Sequence, residues 1–162
     1  MTDVDLAAHA HALLDTNRYL TLATADAAGR PWSTPVYFAP APGWRFYWMS
    51  ETDARHSRNL VAQPHVGLVV FDSTVTPHHG RAVYAAGPAR ELADDEVDEA
   101  LKAYPGPSRR GVPPMTRDDV TGSSPYRLYQ ATADELWVLC PREPGRACPR
   151  HGLARDHRAQ IN

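Results

Sequence analysis

The chain has 162 residues, 43% hydrophobic and 22% charged, which fits one domain of ordinary core size and excludes a multidomain enzyme. Lys and Arg number 17 against 19 Asp and Glu, a formal charge of −2 with no dense basic run of the kind that tracks a phosphate backbone, so nucleic acid is not expected as a partner. No apolar stretch approaches the roughly 20 residues of a membrane-spanning helix, and the opening residues carry Asp3 and Asp5 where a secretion signal carries Lys or Arg, so the expected location is the cytoplasm.

In chain order, Leu6, Ala10, Leu13 and Leu14 recur at helical spacing behind Thr2 and Asp3 as cap candidates, predicting a helix over about residues 4–16 that stops at Asn17. Residues 18–25 are rich in strand formers and run into a turn whose Gly29 suits a left-handed position. The return arm covers residues 32–39, with Trp32, Thr34, Val36 and Phe38 on one face and Ser33, Pro35 and Tyr37 on the other. Pro35 donates no hydrogen bond, so it belongs at an edge, at a bulge or against a ligand. A Pro/Gly turn leads to a strand in which Trp44, Phe46 and Trp48 alternate. Residues 53–63 read as a helix capped by Asp53 and ended by Pro64. Strands over 66–71 and 81–87 follow, then a helix over 94–104 with acids toward its start. Residues 105–125, crowded with Pro, Gly, Ser and Arg, read as a long surface loop or lid. A final hairpin spans 126–133 and 135–140 around Asp134, and residues 141–162 read as a polar, Arg-rich tail or docking arm.

Six or seven strands with short turns and three small helices make an antiparallel barrel with peripheral helices the expected architecture, a mainly β fold in one domain over residues 1–140. A βαβ sheet would need a helix after most strands.

Residues 49–60, Met-Ser-Glu-Thr-Asp-Ala-Arg-His-Ser-Arg-Asn-Leu, carry the most chemistry. A strand ends at a hydroxyl, and the next helix opens with Arg55, His56, Arg58 and Asn59. Free N–H groups at a helix start favour an anion, and Arg adds paired donors suited to phosphate. An ordinary solvated helix face accounts for the same charges. Cys140, Cys148, His151 and His157 form C-x7-C-x2-H-x5-H, zinc-competent residues in an unfamiliar spacing; scattered tail side chains are the expected state and no metal site is assigned. His78 and His79 beside Gly80 are competent for a metal or haem but read as solvated loop residues, and the acids from Asp94 to Glu99, which resemble paired acids for acid/base work, read as an ordinary helix start.

The order strand, Gly turn, Trp-Ser-Thr-Pro-Val-Tyr-Phe, Pro/Gly turn, aromatic strand ending in Met-Ser, Ala-Arg-His-Ser-Arg-Asn-Leu, then Gln-Pro-His-Val-Gly-Leu-Val-Val-Phe resembles the pyridoxamine 5′-phosphate oxidase-like family of flavin-binding split barrels. The likeness runs from about Arg18 to Gly87, and residues 128–139 resemble the family's closing hairpin. The resemblance implies a homodimer with each FMN in a groove between two barrels. It puts Thr34, Pro35 and Val36 along the isoalloxazine edge, Met49 and Ser50 near the ribityl phosphate, and Arg55 and His56 on the family's Arg-Lys pair. Asn59 takes a position common in the family's helix, Trp137 matches an aromatic residue that closes over the ring from the partner chain, and Arg81 is a candidate substrate or phosphate contact across the dimer.

Two departures matter. His56 stands where many members have lysine and is fully charged only near or below its ordinary pKa of about 6.5, so flavin affinity is expected to weaken as pH rises. The C-terminal Arg-and-His substrate pattern of the true oxidases has no counterpart in register, so the vitamin is not assigned as substrate. The flavin would supply hydride chemistry and the protein its placement; Tyr37, Tyr84 and His78 are the candidate proton donors. The expected function is an FMN-dependent oxidoreductase acting on a small molecule. The alternatives are a deazaflavin-dependent reductase and a flavin- or haem-binding protein without turnover.

Overall fold

The computed structural model describes residues 5–107 and 110–161. Thr2 and Asp3, the expected caps of the first helix, lie outside them. Helix α1 (Leu6–Thr16) is instead capped by Asp5, whose carboxylate accepts from the N–H groups of Ala7 and Ala8 at 3.0 Å. It stops at Asn17, whose backbone and side-chain nitrogens both donate to the Leu13 carbonyl.

Strands β1 (Tyr19–Ala25), β2 (Pro31–Ala41) and β3 (Arg45–Glu51) form an antiparallel meander. The first turn closes with Gly29 at φ 77° and its N–H donating to the Asp26 carbonyl at 2.8 Å. Helix α2 (Arg55–Ala62), strand β4 (His65–Phe71) and strand β5 (Ala82–Glu91) follow. After helix α3 (Val97–Ala100) come β6 (Tyr126–Thr132), β7 (Glu135–Leu139) and β8 (Arg158–Gln160). Pairings β1–β2, β2–β3, β3–β6, β6–β5, β5–β4 and β4–β1 close a six-stranded antiparallel barrel, and β7 and β8 extend one sheet outward from β5.

Strand β5 makes that branching possible. It pairs with β4 and β7 through residues 82–88, then crosses to β6 at Ala89. At the crossing a side chain on Gly87 would sit 2.1 Å from the Thr132 carbonyl oxygen, so only glycine lets the two backbones approach.

Alternation along the strands fills the barrel with Leu20, Leu22, Val36, Phe38, Phe46, Trp48, Leu68, Val70, Val83 and Val138, and the apolar stripe of α1 joins them through Ala10, Leu13 and Leu14. A second cluster lies outside the barrel wall, where Tyr47 and Leu128 meet Leu92, Val97, Ala100, Tyr104 and Val120. The expectation that only one face of β3 is buried is therefore corrected: Tyr47 is 4% exposed although it alternates with Phe46 and Trp48.

Other expectations shift as well. Helix α2 starts at Arg55 behind Ala54, and Asp53 makes no capping bond; its carbonyl instead accepts from the Arg58 guanidinium. The helix expected over 94–104 shrinks to a 3-10 turn, Asp94–Glu96, and α3. There Arg90 grips Glu96 through two 2.6 Å hydrogen bonds and holds its carboxyl down to about 2. The described residues of 105–125 do not all lie free on the surface. Arg110, 6% exposed, donates to the carbonyls of Asn17 and Phe38 at 2.8 Å, the Tyr37 hydroxyl donates to the Pro105 carbonyl at 2.5 Å, and Val120 is fully buried. Residues 141–161 fold back on the domain and end in β8. No helix among the described residues is long and apolar enough to cross a membrane.

Candidate functional site

Strands β2 and β3 are paired only over residues 38–41 and 45–48. Beyond that register β2 continues from Tyr37 to Pro31 paired, among the described residues, to β1 alone, while β3 runs on through Met49 and Ser50 paired to β6. The two strands therefore part into a cleft.

The backbone of β2 is polarised across it. The Phe38 N–H donates to the Arg18 carbonyl on the β1 side, so antiparallel alternation turns the polar groups of Val36 and Thr34 toward β1 and those of Ser33, Pro35 and Tyr37 toward the open edge. Pro35 thus sits where a missing N–H leaves no ladder bond unmade. Of the three residues expected along a flavin ring, only Pro35 offers a backbone group to the cleft, its carbonyl.

The other lip comes from the end of β3 and the start of α2. Met49 and Ser50 alternate: Met49 turns to the outer cluster with Tyr37 and Tyr104, whereas Ser50, 7% exposed, meets His56 with Oγ and Nε2 2.7 Å apart. Burial pushes the His56 pKa below its ordinary value, so this imidazole is neutral near pH 7 and is no substitute for a lysine charge. Arg55, one residue earlier, lies over the Trp32 ring of β2 at 4.4 Å. Asn59, buried one turn later, donates to the Thr24 hydroxyl of β1 at 2.9 Å and ties α2 to the barrel.

Sequence reading found Arg55 and Arg58 but missed the third member of the basic set, Arg30. Arg55 and Arg58 meet Arg30 from the β1–β2 turn around a concavity of about 410 Å³, with Asn59, Ala62, Asp26 and Ala27 completing the wall. Arg58 was visible as the i+3 neighbour of Arg55 on one helix face. Arg30 carried no such sign; it follows Gly29 in the turn and is paired with Asp26 at 2.8 Å. Three guanidinium groups against one carboxylate give the concavity a net positive charge, and the donor set suits a phosphate monoester. The residues present fit the phosphate end of a flavin mononucleotide, with the open β2 edge beside it.

Two expected residues stand elsewhere in the chain. Trp137 lies on β7, opposite Tyr84 of β5 and four strands away from β2. Arg81 lines a separate cavity of about 420 Å³ with Arg142 and Arg146. Neither lines the cleft between β2 and β3.

A mainly β, six-stranded antiparallel barrel with an open strand edge and a basic pocket defines the chain as a split-barrel protein. The family model for pyridoxamine 5′-phosphate oxidase matches residues 6–140, and the chain belongs to that family. A haem-binding protein from Mycobacterium smegmatis has a similar structure at TM-score 0.69 and 18% identity, covering 99% of this chain, which spans 60% of that one. An FAD-binding protein from Mesorhizobium loti matches at TM-score 0.62 and 20% identity over 84% of this chain and 94% of its own. The haem storage protein HutZ from Vibrio cholerae matches at TM-score 0.59 and 17% identity, over 83% and 94%. No curated protein matches.

Proposed function

We propose that the chain is an FMN-binding oxidoreductase that acts on a small molecule as a cytoplasmic homodimer, with the cofactor between two barrels. The observation that carries this reading is the meeting of Arg30, Arg55 and Arg58 beside the unpaired β2 edge. Arg55 and Arg58 hold the phosphate, Arg30 closes over it from the hairpin, and the Pro35 carbonyl faces the ring edge. Trp137 comes from the partner chain. When bound, the flavin supplies hydride transfer; the protein supplies position and a positive field.

A second reading, a haem-binding protein without turnover, is supported by the haem-binding and haem-storage names of two structural relatives. The same arginines would then face the haem carboxylates. Deazaflavin remains the alternative redox cofactor, its anionic tail suited to the same cradle.

Binding of FMN, riboflavin and haem to the purified chain separates these readings. FMN is expected to bind more tightly than riboflavin, because only FMN carries the phosphate. Arg55→Ala is expected to weaken FMN binding by about 1.5–3 kcal/mol and leave riboflavin nearly unchanged. Equal affinity for FMN and riboflavin overturns the cradle assignment. Bleaching of bound FMN by reduced nicotinamide, with recovery in air, marks turnover; haem binding with no flavin binding supports the second reading.

A further inference from the structure

We propose that Cys140, Cys148, His151 and His157 form a closed, tetrahedral site for one zinc-class divalent cation, separate from the cofactor cleft. Among the described residues these four, and no other group of metal-competent side chains, converge, with one ligand atom from each within 4.8 Å of all the others. The scattered tail residues expected from sequence are in fact gathered against β7.

The geometry is that of a ligand shell. The two sulfurs are 3.1 Å apart, His151 Nδ1 lies 3.5 and 3.6 Å from them, and His157 Nε2 lies 3.1 Å from His151 Nδ1. Zinc bonds of about 2.3 Å to sulfur and 2.0–2.1 Å to nitrogen give tetrahedral edges of about 3.3–3.8 Å, so a cation fits after a small outward shift of the sulfurs. The sulfurs are free thiols, well beyond the roughly 2.05 Å of a disulfide.

The surroundings orient the ligands. His157 directs Nδ1 at the Arg155 carbonyl at 2.9 Å, which places the proton there and the Nε2 lone pair in the cluster. That lone pair faces another imidazole nitrogen and two thiol sulfurs, the soft donor atoms that a zinc-class cation takes once the thiols give up their protons. Cys140 and Cys148 are buried, and the N–H groups of Arg150 and His151 point at the Cys148 sulfur.

Two sulfurs and two imidazoles select zinc over the hard cations, and four protein ligands leave no open position for a reacting water, so the role is structural. Binding expels the two thiol protons and leaves a site of zero net charge. Cys140 directly follows β7 and His157 directly precedes β8, so the metal staples the ends of both strands across residues 141–156. Three of the four ligands lie beyond residue 140, where the family match ends.

The test is metal content of the full-length chain after expression with added zinc and desalting, followed by replacement with Co(II). One zinc per chain is expected, with two thiols shielded from a thiol reagent until a chelator is added, and a cobalt spectrum showing sulfur-to-metal charge transfer and tetrahedral bands. Cys148→Ser and His157→Ala are expected to lose the metal and unfold at lower temperature, the temperature to which chelated wild type also falls. If a variant does not fold, the wild-type cobalt spectrum still decides. A metal-free chain with two reactive thiols, a metal-free chain with both thiols joined in a disulfide, or an octahedral cobalt spectrum overturns the proposal.

Discussion

His56 illustrates how burial changes the meaning of a residue. A histidine in place of lysine reads as a weaker cation, yet this one is half-buried against Ser50 and its pKa is lowered by desolvation. In the free protein it is neutral above pH 6.5 and takes up a proton only below. A phosphate in the cradle favours the protonated form, so FMN affinity is expected to rise as pH falls through the titration of this imidazole and to level off in alkaline solution, where it is neutral with and without the phosphate. The difference between wild type and His56→Gln in a titration of FMN affinity isolates the imidazole from the phosphate's own ionisation near pH 6. The same residue bears on stability. His9 is likewise held below its ordinary value, by burial first and by the nearby Arg81 charge second. Both pKa values are depressed in the folded chain, so the unfolded chain binds protons first, and stability is full above about pH 6.5 and falls as pH drops below it. Thermal midpoints measured from pH 8 to 5.5 should be level and then decline; a level profile throughout would contradict the burial of these imidazoles.

The elements that frame the cleft are held by a segment whose composition announces only a loop. Arg110 reaches under residues 105–125 to the carbonyls at the end of α1 and in β2, and its guanidinium also lies 5.3 and 5.2 Å from the Tyr37 and Phe38 rings. Removing it leaves two carbonyls without their donor and loosens the base of β2. Arg110→Ala is expected to destabilise the fold by about 2–4 kcal/mol in a denaturant titration. Half-buried Arg117, whose ion pair is with the exposed Asp98 carboxylate, provides a control that should change by less than about 1 kcal/mol. Equal effects of the two changes would mean that the segment is not anchored as described.

On the scale of the whole molecule, the open β2 edge is flanked by aromatic surface. Tyr19 is 60% exposed and Trp32 39%, and Tyr19 lies opposite Tyr37 across the hairpin. The proposed dimer covers this region and brings a second Trp137 to it. Light scattering after size exclusion is expected to give twice the 17.9 kDa chain mass. Tyr19→Arg is expected to shift the protein toward monomer and weaken FMN binding together. A wild-type monomer that binds FMN as tightly as proposed would remove the partner from the site.

Most of the barrel was legible from local pattern. Period-two alternation marked the strands, Gly29 and Gly43 marked the hairpin turns, and the run from Met49 to Leu60 marked the anion-binding region. These signals are encoded within a few residues, so sequence alone determines them. The parting of β2 from β3, and with it the open edge at Pro35, depended on which strands pair and for how long. Arg30 joined Arg55 and Arg58 only because a hairpin and a helix meet in space. Arg110 had no apolar periodicity around it and found its carbonyl partners far along the chain. The short strand β8 and the Cys140, Cys148, His151 and His157 cluster were hidden in a polar stretch because neither burial nor ligand convergence follows from composition. Sequence thus determined the elements, their order and the chemical character of the α2 start. The tertiary structure decided which edges stay open and which distant side chains converge, because both depend on long-range packing and pairing, to which no short repeat corresponds.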